Sequence, residues 1–382
     1  MLRHLRCLDA AQYLLALAPR HPPRVRIPRR YLIKAVVFPL VLGGILLSLK
    51  SLDNHADIGP YWRKLQDVKR VQPQTVFLGS SRTYRHIDPV RFDSLRGDGA
   101  TSYNFGVPGS RALETHYRAE RLLDENIDGL ERLVVEFGPV DVRAPRALRA
   151  TRRVHHYHDA RRAAIGARVA MASERPTTGR VLAAGDRWRT WVMNTFVVGW
   201  GRAVANSYLK ERRGASARPV GERGYVGLDL AAASPQDPGE VHADAVADGG
   251  PSLRKRREAY LEPEGQAEMA GRFEEIRARG SEPITDRDRV TAQAWLSLAE
   301  RARARGVDVV FVEQPGTENN AGISALLRQE LGEDAVIVLN DPERYPTFFD
   351  LDAWFDLGHL RVEQAERLTE ILAGRVPPLP ED

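Results

Sequence analysis

Cysteine is nearly absent: Cys7 is the only one in 382 residues. A lone cysteine excludes an intrachain disulfide framework and a cysteine-built metal cluster. A charged bulk of one sign is lacking too. Formal net charge is +5, but residues 1–34 alone carry +7, with seven Arg and one Lys against Asp9, so the remainder is net −2. The basicity belongs to the N-terminal end and gives no reason to expect a nucleic-acid partner. Long apolar runs are scarce, and mean hydropathy is −0.39. That excludes a multispanning membrane protein, while 43% hydrophobic and 28% charged residues exclude a collagen-like or disordered chain. No internal repeat is visible.

The one long apolar run is Tyr31–Leu49, YLIKAVVFPLVLGGILLSL, with Lys34 as its only charge. Nineteen residues at ~1.5 Å rise cover ~28 Å, close to a hydrocarbon core of ~30 Å. Arg20, Arg24, Arg26, Arg29, Arg30 and Lys34 crowd its N-terminal side, and only Lys50 follows closely. The positive-inside rule then places residues 1–30 in the cytoplasm, a single-pass anchor over 31–50 in the inner membrane, and a periplasmic or otherwise extracytoplasmic domain over 55–382. No small-x-small cleavage site follows the run, so it reads as an uncleaved anchor and not a signal peptide.

Within the exported part, short β-branched runs alternate with helical patterns. Strands are predicted at Thr75–Leu78, Ala100–Phe105, Leu133–Phe137, Val307–Glu313 and Ala335–Leu339. Helices are predicted over 61–70, from Asp88-Pro89, and over Leu113–Leu123, Val290–Arg305 and Ile323–Leu331. This alternation predicts an α/β fold: a three-layer α/β/α, doubly wound parallel sheet. An insertion at about 146–279 separates the third and fourth strands. It begins basic and helical, turns Gly-, Pro-, Ala- and Asp-rich over Ala215–Pro251, and returns to helix at Ala259–Arg279. The run Thr190–Ala205 reads as a buried or interfacial helix, too short and too polar to span a membrane.

In such sheets chemistry collects at the carboxyl ends of strands. The first strand ends Gly79-Ser80-Ser81-Arg82, and Asp356-Leu357-Gly358-His359 lies near the C-terminus at the start of the last helical region. A serine hydroxyl is a poor nucleophile until a base takes its proton. Ser81 opens a helix at the sheet edge, His359 is a base, and Asp356, one helical turn earlier, is a group that fixes the imidazole tautomer. His155, His156 and His158 with Asp159 include no His-x-x-x-His or Glu-x-x-His ligand pair and read as a solvated segment; the basic run Arg143–Arg168 reads as a solvated helix face, with an acidic polymer or an anionic membrane face as the alternative partner. The reading therefore includes no metal and no cofactor.

The GSS turn after the first strand and the late D-x-x-H resemble the SGNH, or GDSL, hydrolase superfamily. The stretch Asn104-Phe105-Gly106-Val107-Pro108-Gly109 resembles its second block. The resemblance implies that Ser81 is the nucleophile, that His359 and Asp356 complete the triad, and that the amides of Ser81 and Gly109 form the oxyanion hole. An anchored chain with these blocks is similar to the cell-envelope branch, which includes alginate O-acetyltransferase proteins and the DltD proteins of teichoic-acid D-alanylation. The implied activity is an O-acyltransferase or esterase acting on acyl esters of a cell-envelope glycan, with a multispanning membrane acyltransferase as a further partner. Two positions depart from the family. Ser80 stands where an aspartate is usual, and Val140 stands where an asparagine normally donates to the oxyanion. Asn104 and Arg82 are the candidates to replace that donor, and Arg82 is alternatively a substrate-binding cation. The departures also admit a different reading, a non-catalytic accessory protein of the same fold that binds polymer or docks an acyltransferase.

Overall fold

The structure is a computed structural model and describes residues 28–51, 59–125, 127–143, 156–195, 222–228, 253–278, 283–318 and 320–379. The chain divides into two compact units, Met1–Ser51 and Leu52–Asp382. The first contributes one described helix, α1 (Arg29–Ser51), which continues through Pro39. Its side chains are described for 33–45, and Ile33, Val36, Val37, Phe38, Leu40 and Ile45 among them are exposed. Among the described residues no helix is long and apolar enough to cross a membrane. The anchor expected over 31–50 falls partly on side chains outside the described set.

The second unit is an α/β domain. After helix α2 (Gly59–Val71) come β1 (Thr75–Gly79), α3 (Ser81–His86), α4 (Pro89–Arg96), β2 (Ser102–Gly106), α5 (Ala112–Asp124) and β3 (Arg132–Glu136). Beyond the insertion lie α10 (Asp286–Arg303), β4 (Asp308–Glu313), α11 (Ala321–Leu331) and β5 (Val336–Val338). The five strands form one parallel sheet in the order β2-β1-β3-β4-β5. Strands β1, β2 and β3 are buried along their whole length, as a sheet covered on both faces requires.

Because successive strand residues point to opposite faces, the apolar strands feed two cores. Val76, Leu78, Phe105, Leu133, Val135 and Phe311 pack with residues of α2, α5, α10 and α11. Phe77, Val134, Val310, Val312 and Ile337 pack on the other face with residues of α4, α9 (Pro263–Ala278) and α12 (Val362–Arg375). The five strands expected from sequence are thus all present, displaced by no more than two residues at either end. Asp88 caps α4 as expected, accepting the amides of Val90 (2.9 Å) and Arg91 (3.2 Å) ahead of Pro89 at the first turn.

Three expectations are corrected. The segment carrying Asp356 and His359 is not the start of a helix. It is an antiparallel ribbon of β6 (Trp354–Asp356) and β7 (His359–Leu360), and α12 begins only at Val362. The short Leu357-Gly358 link turns the chain back on itself, so the two side chains meet across a hairpin. Second, the histidine segment is packed and not solvated. His158 is buried with its Nε2 3.1 Å from the Arg187 carbonyl, His156 stacks against Tyr61, Tyr117 and Tyr157, and His155 lies outside the described residues. Third, the basic run is not simply a solvated face. Arg162 is buried in α6 (Ala160–Met171), ion-paired with Glu120 of α5 and Asp159. The remaining described insertion helices are α7 (Thr177–Thr195) and α8 (Leu253–Leu261), so α7 takes in the start of Thr190–Ala205. Residues 196–205, and most of the loop expected over 215–251, lie outside the described residues.

Candidate active site

Strand β1 ends at Gly79, where a Cβ would overlap Thr83 Oγ1 and Glu136 Oε2. Only glycine lets the first turn of α3 fold back so closely on the strand ends. Ser80 caps α3 by accepting the Arg82 amide at 3.1 Å. Its own amide donates to Glu136 Oε2 at 2.7 Å, and its hydroxyl lies 2.9 Å from Glu136 Oε1. Ser80 thus serves as the cap and tether of the turn, leaving Ser81 as the first helical residue with its hydroxyl facing out.

Ser81 Oγ is 2.8 Å from His359 Nε2, although 278 residues separate them. His359 Nδ1 is 2.9 Å from Asp356 Oδ1, which also accepts the Gly358 amide at 2.8 Å. In the tautomer these partners select, Nδ1–H donates to the carboxylate and Nε2 accepts the serine proton. Burial would raise the Asp356 carboxyl. His359, Arg256 and the Gly358 amide outweigh it and hold the group well below the usual carboxylate range.

A buried chain of hydrogen bonds joins the ribbon to the sheet. The Leu360 amide donates to His86 Nε2 (3.0 Å), and His86 Nδ1 donates to Gln314 Oε1 (3.0 Å). Gln314 Nε2 donates to Thr83 Oγ1 (2.8 Å), whose hydroxyl donates to Glu136 Oε2 (2.7 Å). Every donor has one acceptor, and the chain ends on a carboxylate. It requires His86 to be neutral. Burial, followed by the neighbouring His359, pushes His86 down to about 3. Glu136 closes the network as an anion: burial would raise it, but the Arg82 guanidinium and the bonds from Ser80 and Thr83 hold it below its ordinary value. Arg82 Nε sits 2.9 Å from Glu136 Oε1.

The other sequence-selected residues divide. Gly109 follows β2 in a turn closed by the Ser110 amide on the Val107 carbonyl (3.2 Å), with φ of +69°. Such a φ at the residue after proline suits glycine. Among the described residues neither the Ser81 nor the Gly109 amide donates a hydrogen bond. Asn104 is not available as a third. It is fully buried, its Nδ2 donates to the Thr83 (2.7 Å) and Ile87 (2.6 Å) carbonyls, and its Oδ1 accepts the Gly106 amide (2.9 Å). Arg82 is likewise committed to Glu136, with Glu318 on its outer side, so it is a poor candidate for a free anion receptor. Val140 is buried among Leu113, Ile165, Val169 and Ala294, a setting that has no use for an amide side chain.

The insertion reaches this site from two sides. On the Ser81 side, the Val226 amide donates to the Tyr84 carbonyl (3.4 Å), Arg85 donates to the Val226 carbonyl (3.1 Å), and Lys64 donates to the Gly224 carbonyl (2.7 Å). On the ribbon side, Arg257 of α8 donates to the Trp354 (2.6 Å) and Phe355 (3.1 Å) carbonyls. Leu228 and Leu253 pack on Phe355.

Sequence reasoning did not single out Glu136, His86, Gln314 or the α8 arginines. Glu136 had a legible signal, a carboxylate ending an otherwise apolar strand at the chemical edge of the sheet. His86 and Gln314 had none, because a buried polar relay has no period. Among the described residues no cluster of His, Cys, Asp and Glu is arranged to hold a metal ion. Comparison with family models, curated proteins and solved structures gives no match for this chain.

Proposed function

We propose that the chain is a membrane-anchored, extracytoplasmic serine O-acyltransferase or esterase of the SGNH type, acting on acyl esters of a cell-envelope glycan. The observation that carries this reading is the unbroken chain Ser81 Oγ–His359 Nε2 at 2.8 Å and His359 Nδ1–Asp356 at 2.9 Å. His359 takes the Ser81 proton as Oγ attacks the acyl carbonyl. Asp356 holds the ring and stabilises the imidazolium. The Ser81 and Gly109 amides receive the oxyanion, and His359 returns the proton to the departing alkoxide. Water then releases the acyl group as an acid, or a sugar hydroxyl takes it on. None of these steps calls for a cofactor.

The apolar run 31–49 and the arginines before it support an inner-membrane anchor with the domain outside. The glycan substrate and a multispanning acyltransferase partner follow from the family resemblance.

A fragment beginning near residue 55 is expected to hydrolyse an aryl acetate and to be labelled by a fluorophosphonate. Ser81→Ala is expected to abolish both while melting like the parent. Absence of hydrolysis and labelling between about pH 6 and 9 would overturn the enzymatic reading. One observation favours the second reading, a non-catalytic accessory protein: with Val140 in an apolar cluster and Asn104 spent, neither of these positions supplies the usual side-chain donor. Loss of one such donor costs roughly 10²–10³ in rate, which slows an enzyme without silencing it.

A further inference from the structure

We infer that Arg256, contributed by the insertion, is a positioning residue that fixes Asp356 and keeps His359 available as a base. The inference rests on the catalytic reading above and deepens it. Arg256 lies on α8, far from the sheet in sequence, yet its Nη2 ion-pairs with Asp356 Oδ2 and stands 3.0 Å from His359 Nδ1. In the tautomer described, Nδ1 is itself a donor, so the guanidinium is held by the carboxylate and not by the ring. Each oxygen of Asp356 then has its own cationic or donor partner: Oδ1 faces His359 and Gly358, and Oδ2 faces Arg256. Oδ2 accepts no hydrogen bond among the described residues, so the ion pair with Arg256 is what opposes rotation of the carboxylate.

The same placement has an electrostatic consequence. A fixed cation beside Nδ1 disfavours a second positive charge on the ring, and by neutralising Asp356 it weakens the carboxylate's pull on an imidazolium. Both effects favour the neutral, proton-accepting ring. Among the described residues, the charged and titratable groups in contact with His359 are Asp356 from its own ribbon, Arg256 from α8, and His86 from α3, whose ring centroid is 6.1 Å away; Arg257 of α8 lies further along the ribbon, on the Trp354 and Phe355 carbonyls. With His86 neutral, Arg256 is the cation in direct contact with the ring, 3.0 Å from Nδ1. Arg256 is not loosely presented. Its neighbour Arg257 is tied to two ribbon carbonyls, Leu253 of the same helix is buried against Phe355, and Tyr260 donates to the Leu351 carbonyl at 2.6 Å. The insertion therefore completes the charge arrangement of the site as well as bordering it.

The test is the pH dependence of kcat/KM for an aryl acetate, measured on the full chain in detergent for the parent, Arg256→Gln, Arg256→Lys and Leu253→Ala. Arg256→Gln is expected to move the acid limb up by roughly one pH unit, a tenfold loss below it. Arg256→Lys, which keeps the charge, should restore most of that displacement. Leu253→Ala loosens the packing of α8 but keeps the guanidinium, so it should lower the whole profile and move the limb less than Arg256→Gln does. An Arg256→Gln profile with its limb unmoved, whether or not its height falls, would overturn the inference and leave the Ser81 mechanism standing. A parent that neither turns over ester nor reacts with fluorophosphonate would instead refute the catalytic reading, and this inference with it.

Discussion

Ser81 sits at the end of a strand hydrogen-bonded on both sides, whereas Asp356 and His359 sit on a ribbon of three and two residues that pairs only with itself. The first is placed by the sheet. Its turn is anchored to the adjacent strand β3 through Glu136, and no residue of the anchor lies outside the α/β core. The second is placed by clamps from elsewhere: His86 on the Leu360 amide, and Arg257, Arg256 and Leu253 from the insertion. A two-stranded ribbon is marginal by itself, so those clamps are what hold it. Ser81 thus depends on the core alone, whereas His359 depends on the insertion as well as on His86 of α3, and damage to each should look different.

The largest expected effect tests the ribbon. Asp356→Asn removes the charge that orients His359 while preserving shape. Activity toward an aryl ester should fall by about 10²–10⁴, with the fragment still folded by circular dichroism. An unchanged rate would mean that the ribbon does not serve Ser81 at all. The next tests the turn. Glu136→Gln leaves the Arg82 guanidinium without its buried anion, a loss of about 3–5 kcal/mol in urea denaturation. Glu318→Gln, which removes only the more exposed carboxylate 3.4 Å from Arg82, should cost less than about 1 kcal/mol. Equal effects at the two positions would show that the turn is not held by the core.

The same contrast explains what was legible in the sequence. Strands β1, β3, β4 and β5 were readable because a strand buried on both faces is largely apolar, and TVFL, LVVEF and VDVVFVE stand out against polar flanks; β2, SYNFG, breaks that pattern with buried Ser102 and Asn104. Ser81 was readable because a strand end opening a helix has a small set of residues. The ribbon was misread as a helix start, since Asp and His three apart are compatible with either a helical turn or a tight hairpin. The insertion clamps were invisible: nothing in LRKRREAYL marks which of four consecutive basic residues faces a carboxylate. Asn104 looked like a polar residue at the chemical edge, but an asparagine near a strand end can as well satisfy backbone groups inside, and here it does.

A smaller effect concerns Val140, where the family that the sequence resembles carries an asparagine. If the site lacks only a side-chain donor, Val140→Asn should raise activity. The apolar surroundings of Val140 argue for the opposite. The new amide finds Leu113, Ile165 and Val169 around it and costs roughly 1–3 kcal/mol without a gain in rate. Denaturation and ester hydrolysis on the one variant separate the outcomes. A gain in kcat would show that residue 140 turns toward the substrate, against the packing described.

The smallest effect concerns pH and treats the two regions alike. Three histidines are held neutral inside the domain: His86 and His116 are pushed down to about 3 and His158 to about 4, in each case first by burial. Their neutrality is structural. His86 accepts the Leu360 amide, and the His116 and His158 rings face carbonyls of Ala294 and Arg187 through Nε2. In the unfolded chain each titrates near 6.5, so below that pH the unfolded state binds more protons than the folded one. The contribution is complete above about pH 6.5 and declines as pH falls toward 3–4, by up to about 2 kcal/mol per histidine at pH 5. His116→Gln removes one of the three without touching turn or ribbon. Its urea midpoint should therefore depend less steeply on pH between 7 and 5 than that of the parent, whatever its absolute stability. Identical slopes would mean that His116 titrates alike in the folded and unfolded chain, and that its contacts with Ala294 and Arg162 do not require the neutral ring.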